Sequence, residues 1–146
     1  MAEQNPLRFT FYIAASPEKV WEGFVSQESN KILFMGAELD IDLKPGGRIE
    51  WFAPGGDGKR VTYVRGEVLR SDRPRFLQYT FGLPGSSASS RVTIELVPET
   101  EATQVSVLHD RWEEGDTGYA STADGWPRIL SRLKTLIETG KTFKPH

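Results

Sequence analysis

Leu7, Phe9, Phe11 and Ile13 alternate with Arg8, Thr10, Tyr12 and Ala14, a period of two that sends one set of side chains to a core and leaves the other partly wet. The pattern predicts a first strand. Ser16-Pro17-Glu18 stops it, because Ser is a good N-cap, Pro is preset for the first helical position and Glu suits the positive end of the helix dipole. Val20, Trp21, Phe24 and Val25 then share one face of a predicted helix. Ser26 to Asn30 interrupts the apolar pattern, and Ile32, Leu33 and Phe34 mark a second, short helix around Lys31 to Met35.

After Gly36 the period returns to two, with Leu39, Ile41 and Leu43 set against Glu38, Asp40 and Asp42. Pro45-Gly46-Gly47 reads as a tight reversal, since Pro fixes its own φ and Gly accepts a positive one. Strand segments follow at Arg48 to Ala53, Val61 to Arg70, Phe76 to Phe81, Arg91 to Val97 and Gln104 to Trp112. The connections between them are short enough for antiparallel neighbours. A polar loop from Glu113 to Tyr119 ends the strand series. Beyond it Trp126, Ile129, Leu130, Leu133, Leu136 and Ile137 form one helical stripe, with Gly140 as the expected C-cap and Lys141 to His146 as a loose tail. Pro127 lies either in the first turn, where its missing N–H costs little, or inside a helix that began earlier and bends there.

The order is one strand, two short helices, six strands in a meander and one long helix, which is an α+β fold. A twisted seven-stranded antiparallel sheet has one face to bury, and a helix with one apolar stripe is its natural cover. Curling the sheet round the helix leaves a gap lined on both sides by apolar residues, which gives room for a ligand.

Composition narrows the picture. A length of 146 residues with 38% hydrophobic residues fits one domain spanning the chain, with an ordered core over about 7–139. The Cys count of 0 removes thiol nucleophiles, thiolate metal sites and redox motifs, and suits a reducing cytoplasm. Lys and Arg number 18 against 20 Asp and Glu, and the two signs alternate without forming a block. Nucleic acid, whose phosphates demand clustered cations, is therefore not expected as a partner. No uncharged run approaches the roughly 18 residues of a membrane span. Phe9 to Ala15, preceded by Glu3 and no basic segment, reads as a strand and not as a signal peptide.

Several segments together resemble the START/Bet v1-like helix-grip domains, in the branch named for homologues of the activator of Hsp90 ATPase. They are Ile13-Ala14-Ala15-Ser16-Pro17-Glu18-Lys19-Val20-Trp21, Gly46-Gly47-Arg48-Ile49, Gly66-Glu67-Val68 before Pro74, and Leu77-Gln78-Tyr79-Thr80-Phe81. Thr103, Val105, Val107 and His109 resemble the family's last strand, and Gly125-Trp126 with Leu130 and Leu133 the start of its long helix. The resemblance implies a curved sheet wrapped around a long C-terminal helix, commonly with a cavity between them. This chain departs from the pattern at Leu33-Phe34-Met35, where such domains often carry a Trp at the pocket entrance. In the eukaryotic activator the family domain resembles only the C-terminal part, and a separate N-terminal domain makes the main chaperone contact. A chain this short is expected to give little stimulation of Hsp90 by itself.

Candidate chemistry is sparse. Of two histidines, His146 is terminal and His109 lies in register with Val105 and Val107, pointing inward. It reads either as a polar anchor at the cavity end or as a buried strand histidine bonded to a neighbour. Asp40 with Asp42, and Glu113 with Glu114 and Asp116, read as solvated charge, so no metal and no acid–base site is expected. Gly55-Gly56-Asp57-Gly58-Lys59 lacks the Gly and the Ser or Thr of a phosphate loop and reads as a hairpin connection. Ser86, Ser87, Ser89 and Ser90 have no adjacent base in the sequence. Aromatic residues carry the remaining signal. They either fill the core or, as the resemblance favours, border a cavity. Trp51, Tyr79, Phe81, His109, Trp126, Leu130 and Leu133 are accordingly expected to contact a small apolar ligand, without a cofactor and without catalysis. The rivals are an interaction module that meets a chaperone or a second copy of the chain, and a cyclase-like or hydrolase-like enzyme.

Overall fold

The computed structural model describes residues 4–34, 36–86 and 88–144. Met35, Ser87 and His146, each singled out in the sequence, lie outside the described residues. Strand β1 (Leu7–Ile13) leads into helices α1 (Pro17–Val25) and α2 (Gln27–Leu33). Six strands follow: β2 (Glu38–Ile41), β3 (Arg48–Pro54), β4 (Arg60–Asp72), β5 (Phe76–Phe81), β6 (Ser90–Pro98) and β7 (Thr103–Asp110). Helix α3 (Tyr119–Thr139) closes the series.

All seven strands form one antiparallel sheet in the order β1-β7-β6-β5-β4-β3-β2. The two short helices carry the chain from one edge of the sheet to the other, and the meander returns it until β7 pairs with β1, Leu7 opposite His109 and Ile13 opposite Thr103. Register shifts between Trp51 and Phe52 on β3 and between Val68 and Arg70 on β4 add local twist where the sheet must curl. Gly66 makes this curl possible, since a Cβ there would overlap the Thr80 carbonyl oxygen. The concave face and the helices enclose one apolar core containing Ile13, Trp21, Ile49, Leu77, Val105 and Leu133.

Of the boundaries that differ from the sequence reading, three have a clear local reason. Helix α2 starts at Gln27, four residues before the expected Lys31, because the Ser26 side chain accepts from Ser29 N at 3.2 Å and caps it. The polar run that reads as an interruption is the first turns of the helix. β7 stops at Asp110 because Arg111 takes a positive φ of 60°, and Trp112 folds back beneath the sheet with its indole N–H on the His109 carbonyl at 3.0 Å. Helix α3 begins at Tyr119, so Pro127 is interior and the first-turn alternative falls. Gly140, at φ 83°, caps α3 as expected.

Side chains from the helices lock this arrangement. Arg132 on α3, only 3% exposed, donates to the carbonyls of Ile32 at 3.0 Å, of Leu33, and of Phe143 at 2.8 Å. It thus caps the last turn of α2 with a cation, which suits the negative end of that helix. Gln27 clasps the backbone of Leu39, its amide donating to the carbonyl and accepting from the N–H at 3.1 Å. At the opposite edge Glu138 accepts from Ala14 N at 2.8 Å and Lys134 donates to Tyr12 O at 2.7 Å.

Candidate functional site

Between the concave sheet and α3 lies a cavity of about 280 Å³. The two periodicities of the chain build its walls. Every second residue of three strands faces it: Leu39 and Ile41 on β2, Ile49 and Trp51 on β3, Leu77, Tyr79 and Phe81 on β5. Thr122, Gly125, Trp126, Ile129 and Leu133 face it from α3, at helical spacing. Phe24, Asn30, Leu33 and Phe34 close the remaining side. Gly125 matters by what it lacks, because a Cβ there would meet no heavy atom within 4 Å.

The aromatic rings pack against one another around this space. Trp51 lies 6.0 Å from Phe34 and 5.8 Å from Tyr79 between centroids, tilted by 56° and 50°. Such offset contacts fix ring orientation beyond simple burial. Asn30, invisible as a site residue in the sequence, orients Trp51: its Oδ1 accepts from Trp51 Nε1 at 2.9 Å, while its amide group donates to the carbonyls of Phe24 at 3.0 Å and Ser26 at 2.7 Å. A polar residue on the inner face of α2 was the available signal, masked by reading that stretch as a break.

Five of the seven expected residues, Trp51, Tyr79, Phe81, Trp126 and Leu133, line the cavity together; His109 and Leu130 do not. Leu130 is 4% exposed and belongs to the packed core. His109 is fully buried behind the wall, among Trp112, Phe81 and Trp126 at centroid distances of 4.2, 4.7 and 6.1 Å. Its Nδ1 accepts from Trp126 Nε1 at 2.9 Å, and its Nε2 faces Ser90 Oγ at 2.7 Å. An indole nitrogen can only donate, so Nδ1 is unprotonated and Nε2 carries the proton to Ser90. Ser90 in turn donates to the Phe81 carbonyl at 3.3 Å. Burial pulls the imidazole down to about 3, with Asp110 opposing weakly. His109 is thus the neutral, doubly bonded strand histidine, and it holds Trp126 in the cavity wall. The expectation that Ser90 has no adjacent base is corrected here: β6 and β7 bring it to a histidine 19 positions away, though in the wrong tautomer for a nucleophile.

Asp40 and Glu50 alternate with the cavity-lining residues of β2 and β3 and so lie on the outer face of the sheet. Asp40 sits 3.5 Å from Arg48 and 3.6 Å from Arg60, and Glu50, 5% exposed, accepts from Arg60 at 3.1 Å and Thr62 at 2.5 Å. Among the described residues no group of three or more His, Cys, Asp or Glu could hold a metal ion, and no helix is long and apolar enough to cross a membrane.

With this geometry in place, the chain matches the family described as activator of Hsp90 ATPase homolog 1-like protein over residues 14–138. The chain belongs to that family. No curated protein matches it. Among solved structures, ChR145 from Cytophaga hutchinsonii is 26% identical, with 96% of this chain and 98% of that one covered at a TM-score of 0.75. An HSP90 activator from Plasmodium falciparum is 17% identical, covering 90% of this chain and 95% of its own at 0.75. The Aha1 dimer from Colwellia psychrerythraea is 20% identical, with coverages of 94% and 99% at 0.71. These likenesses carry the helix-grip fold, with its curved seven-stranded sheet, two short helices after the first strand and long C-terminal helix.

Proposed function

We propose that this member of the Hsp90-activator-homologue family is a cytosolic, cofactor-free binding domain that holds one small, mostly apolar molecule between the curved sheet and α3. The cavity of about 280 Å³ carries the reading, since protein interiors ordinarily pack to crystal-like density with few voids larger than a water molecule. Trp51, Tyr79, Phe81, Trp126 and Leu133 are the proposed contacts. His109 and Leu130 act behind them, one by holding Trp126 and the other by seating α3 in the core. Native mass spectrometry of the protein isolated from its own host tests the proposal. An adduct of small-molecule mass is expected, whereas a clean apo dimer would turn the reading toward an interaction module.

The site is read as non-catalytic. A Ser–His nucleophile needs the imidazole nitrogen facing the hydroxyl to be unprotonated, and the bond from Trp126 to Nδ1 supports the opposite tautomer. The family name and the fold shared with the Plasmodium falciparum HSP90 activator raise a chaperone contact as the second reading. Here this chain alone is expected to leave Hsp90 ATPase activity nearly unchanged at stoichiometric concentration. Stimulation of several-fold would favour the chaperone reading.

A further inference from the structure

We propose that the occupant of this cavity is an uncharged molecule of about two fused rings, carrying one hydrogen-bonding oxygen or nitrogen that meets the Tyr79 hydroxyl. This rests on the reading of the cavity as a ligand site and adds the chemistry of the ligand.

The polar inventory of the walls singles out Tyr79. The Trp51 N–H is spent on Asn30, and both amide hydrogens of Asn30 are spent on backbone carbonyls. Thr122 is half-buried and Tyr63 is exposed, so water reaches both. Tyr79 is only 4% exposed, and among the described residues its hydroxyl has no hydrogen-bond partner. The oxygen is not sealed within protein either. Trp21 Nε1 is the only enclosed and unpartnered side-chain polar atom among the described residues, so the Tyr79 hydroxyl abuts the open space that this residue lines. Burial pushes its phenol well above the ordinary value, which keeps the proton in place to donate to a carbonyl, while the oxygen still accepts from a hydroxyl.

Size and charge set the rest. An apolar cavity of about 150 Å³ takes up benzene, so about 280 Å³ has room for roughly twice that. The tilted rings of Phe34, Trp51 and Tyr79 offer flat apolar walls to a planar guest. Among the described residues no Asp, Glu, Lys, Arg or His lines the cavity. An ionised ligand would therefore be buried without a counter-charge, which is strongly unfavourable.

Calorimetric titration with 2-naphthol, naphthalene and 2-naphthoate, on the native chain and on Tyr79→Phe, tests this. Apolar partition alone favours naphthalene. The affinity of 2-naphthol relative to naphthalene is expected to fall by about 5- to 150-fold on Tyr79→Phe, which corresponds to about 1 to 3 kcal/mol for one buried polar group losing its partner. The two apolar affinities should agree within about twofold, which also reports that the variant is folded. An unchanged ratio would overturn the Tyr79 anchor while leaving the cavity reading intact. Binding of 2-naphthoate as tight as that of 2-naphthol would overturn the requirement for an uncharged ligand. If none of the three binds the native chain, the cavity reading fails together with the inference.

Discussion

At the scale of single residues, His109 shows how a buried hydrogen-bond chain decides protonation. Its Nδ1 receives the Trp126 N–H and its Nε2 gives its proton to Ser90, so a second proton would set two donors against each other. The folded pKa of about 3 lies below the ordinary value of 6.5. Between these values the unfolded chain binds the proton and the folded chain does not, so stability falls as pH falls through that window. From pH 6.5 to 5 the native chain should lose roughly 1 to 2 kcal/mol on this account, because one proton bound only by the unfolded chain is worth about 1.4 kcal/mol for each step of one in pH. Urea denaturation at the two pH values measures it. The loss should shrink in His109→Phe, whereas an equal loss in both would assign it to other groups. The same substitution has a cost at neutral pH. Phe keeps similar bulk but leaves the Trp126 N–H without its acceptor, and about 1 to 3 kcal/mol should be lost. The inward direction of His109 was legible from the alternation of β7. Its partners were not, because they lie 19 and 17 positions away on another strand and on a helix.

At the scale of elements, strands were easier to read than short helices. β1 and β5 fall where their alternation puts them, because along each strand more buried and less buried residues alternate. Helix α2 hides its start behind Ser26 and Gln27, residues that look like a linker until their side chains are seen capping the helix and gripping β2. Only tertiary partners make it stable, since an isolated helix of seven residues is far too short to hold in water. Arg132→Met tests that dependence. Three carbonyls lose a charged donor, so about 2 to 4 kcal/mol should be lost, and hydrogen exchange of the α2 amides should quicken more than that of β6 or β7. A loss under about 1 kcal/mol with uniform exchange would mean that α2 docks without the guanidinium. Gly66→Ala probes the sheet in the same way. Its Cβ would be forced onto the Thr80 carbonyl, and destabilisation of at least the roughly 1 to 3 kcal/mol typical of overpacking is expected, read from the denaturation midpoint.

At the scale of the whole molecule, the gap between sheet and helix followed from the sequence because seven strands and one apolar stripe leave little choice of architecture. Whether side chains would fill that gap did not follow, since the same aromatics can pack a core or border a space. Gly125 tips the balance. Gly125→Leu should raise stability by roughly 0.5 to 1 kcal/mol through helix propensity while its side chain takes up cavity volume and abolishes binding of naphthalene-sized probes. Thermal unfolding beside calorimetry checks both halves, and retained binding would show that the side chain turns away. The clasps at the two ends of the sheet bear on a different property. An open sheet exposes unpaired backbone groups along its outer strands, and these can recruit a strand from another molecule. Gln27 occupies the N–H and C=O of Leu39 at one margin, while Lys134 and Glu138 hold Tyr12 and Ala14 at the other. Side chains thus stand where a neighbour's backbone would have to dock, so the fold resists growing, copy upon copy, into a fibre.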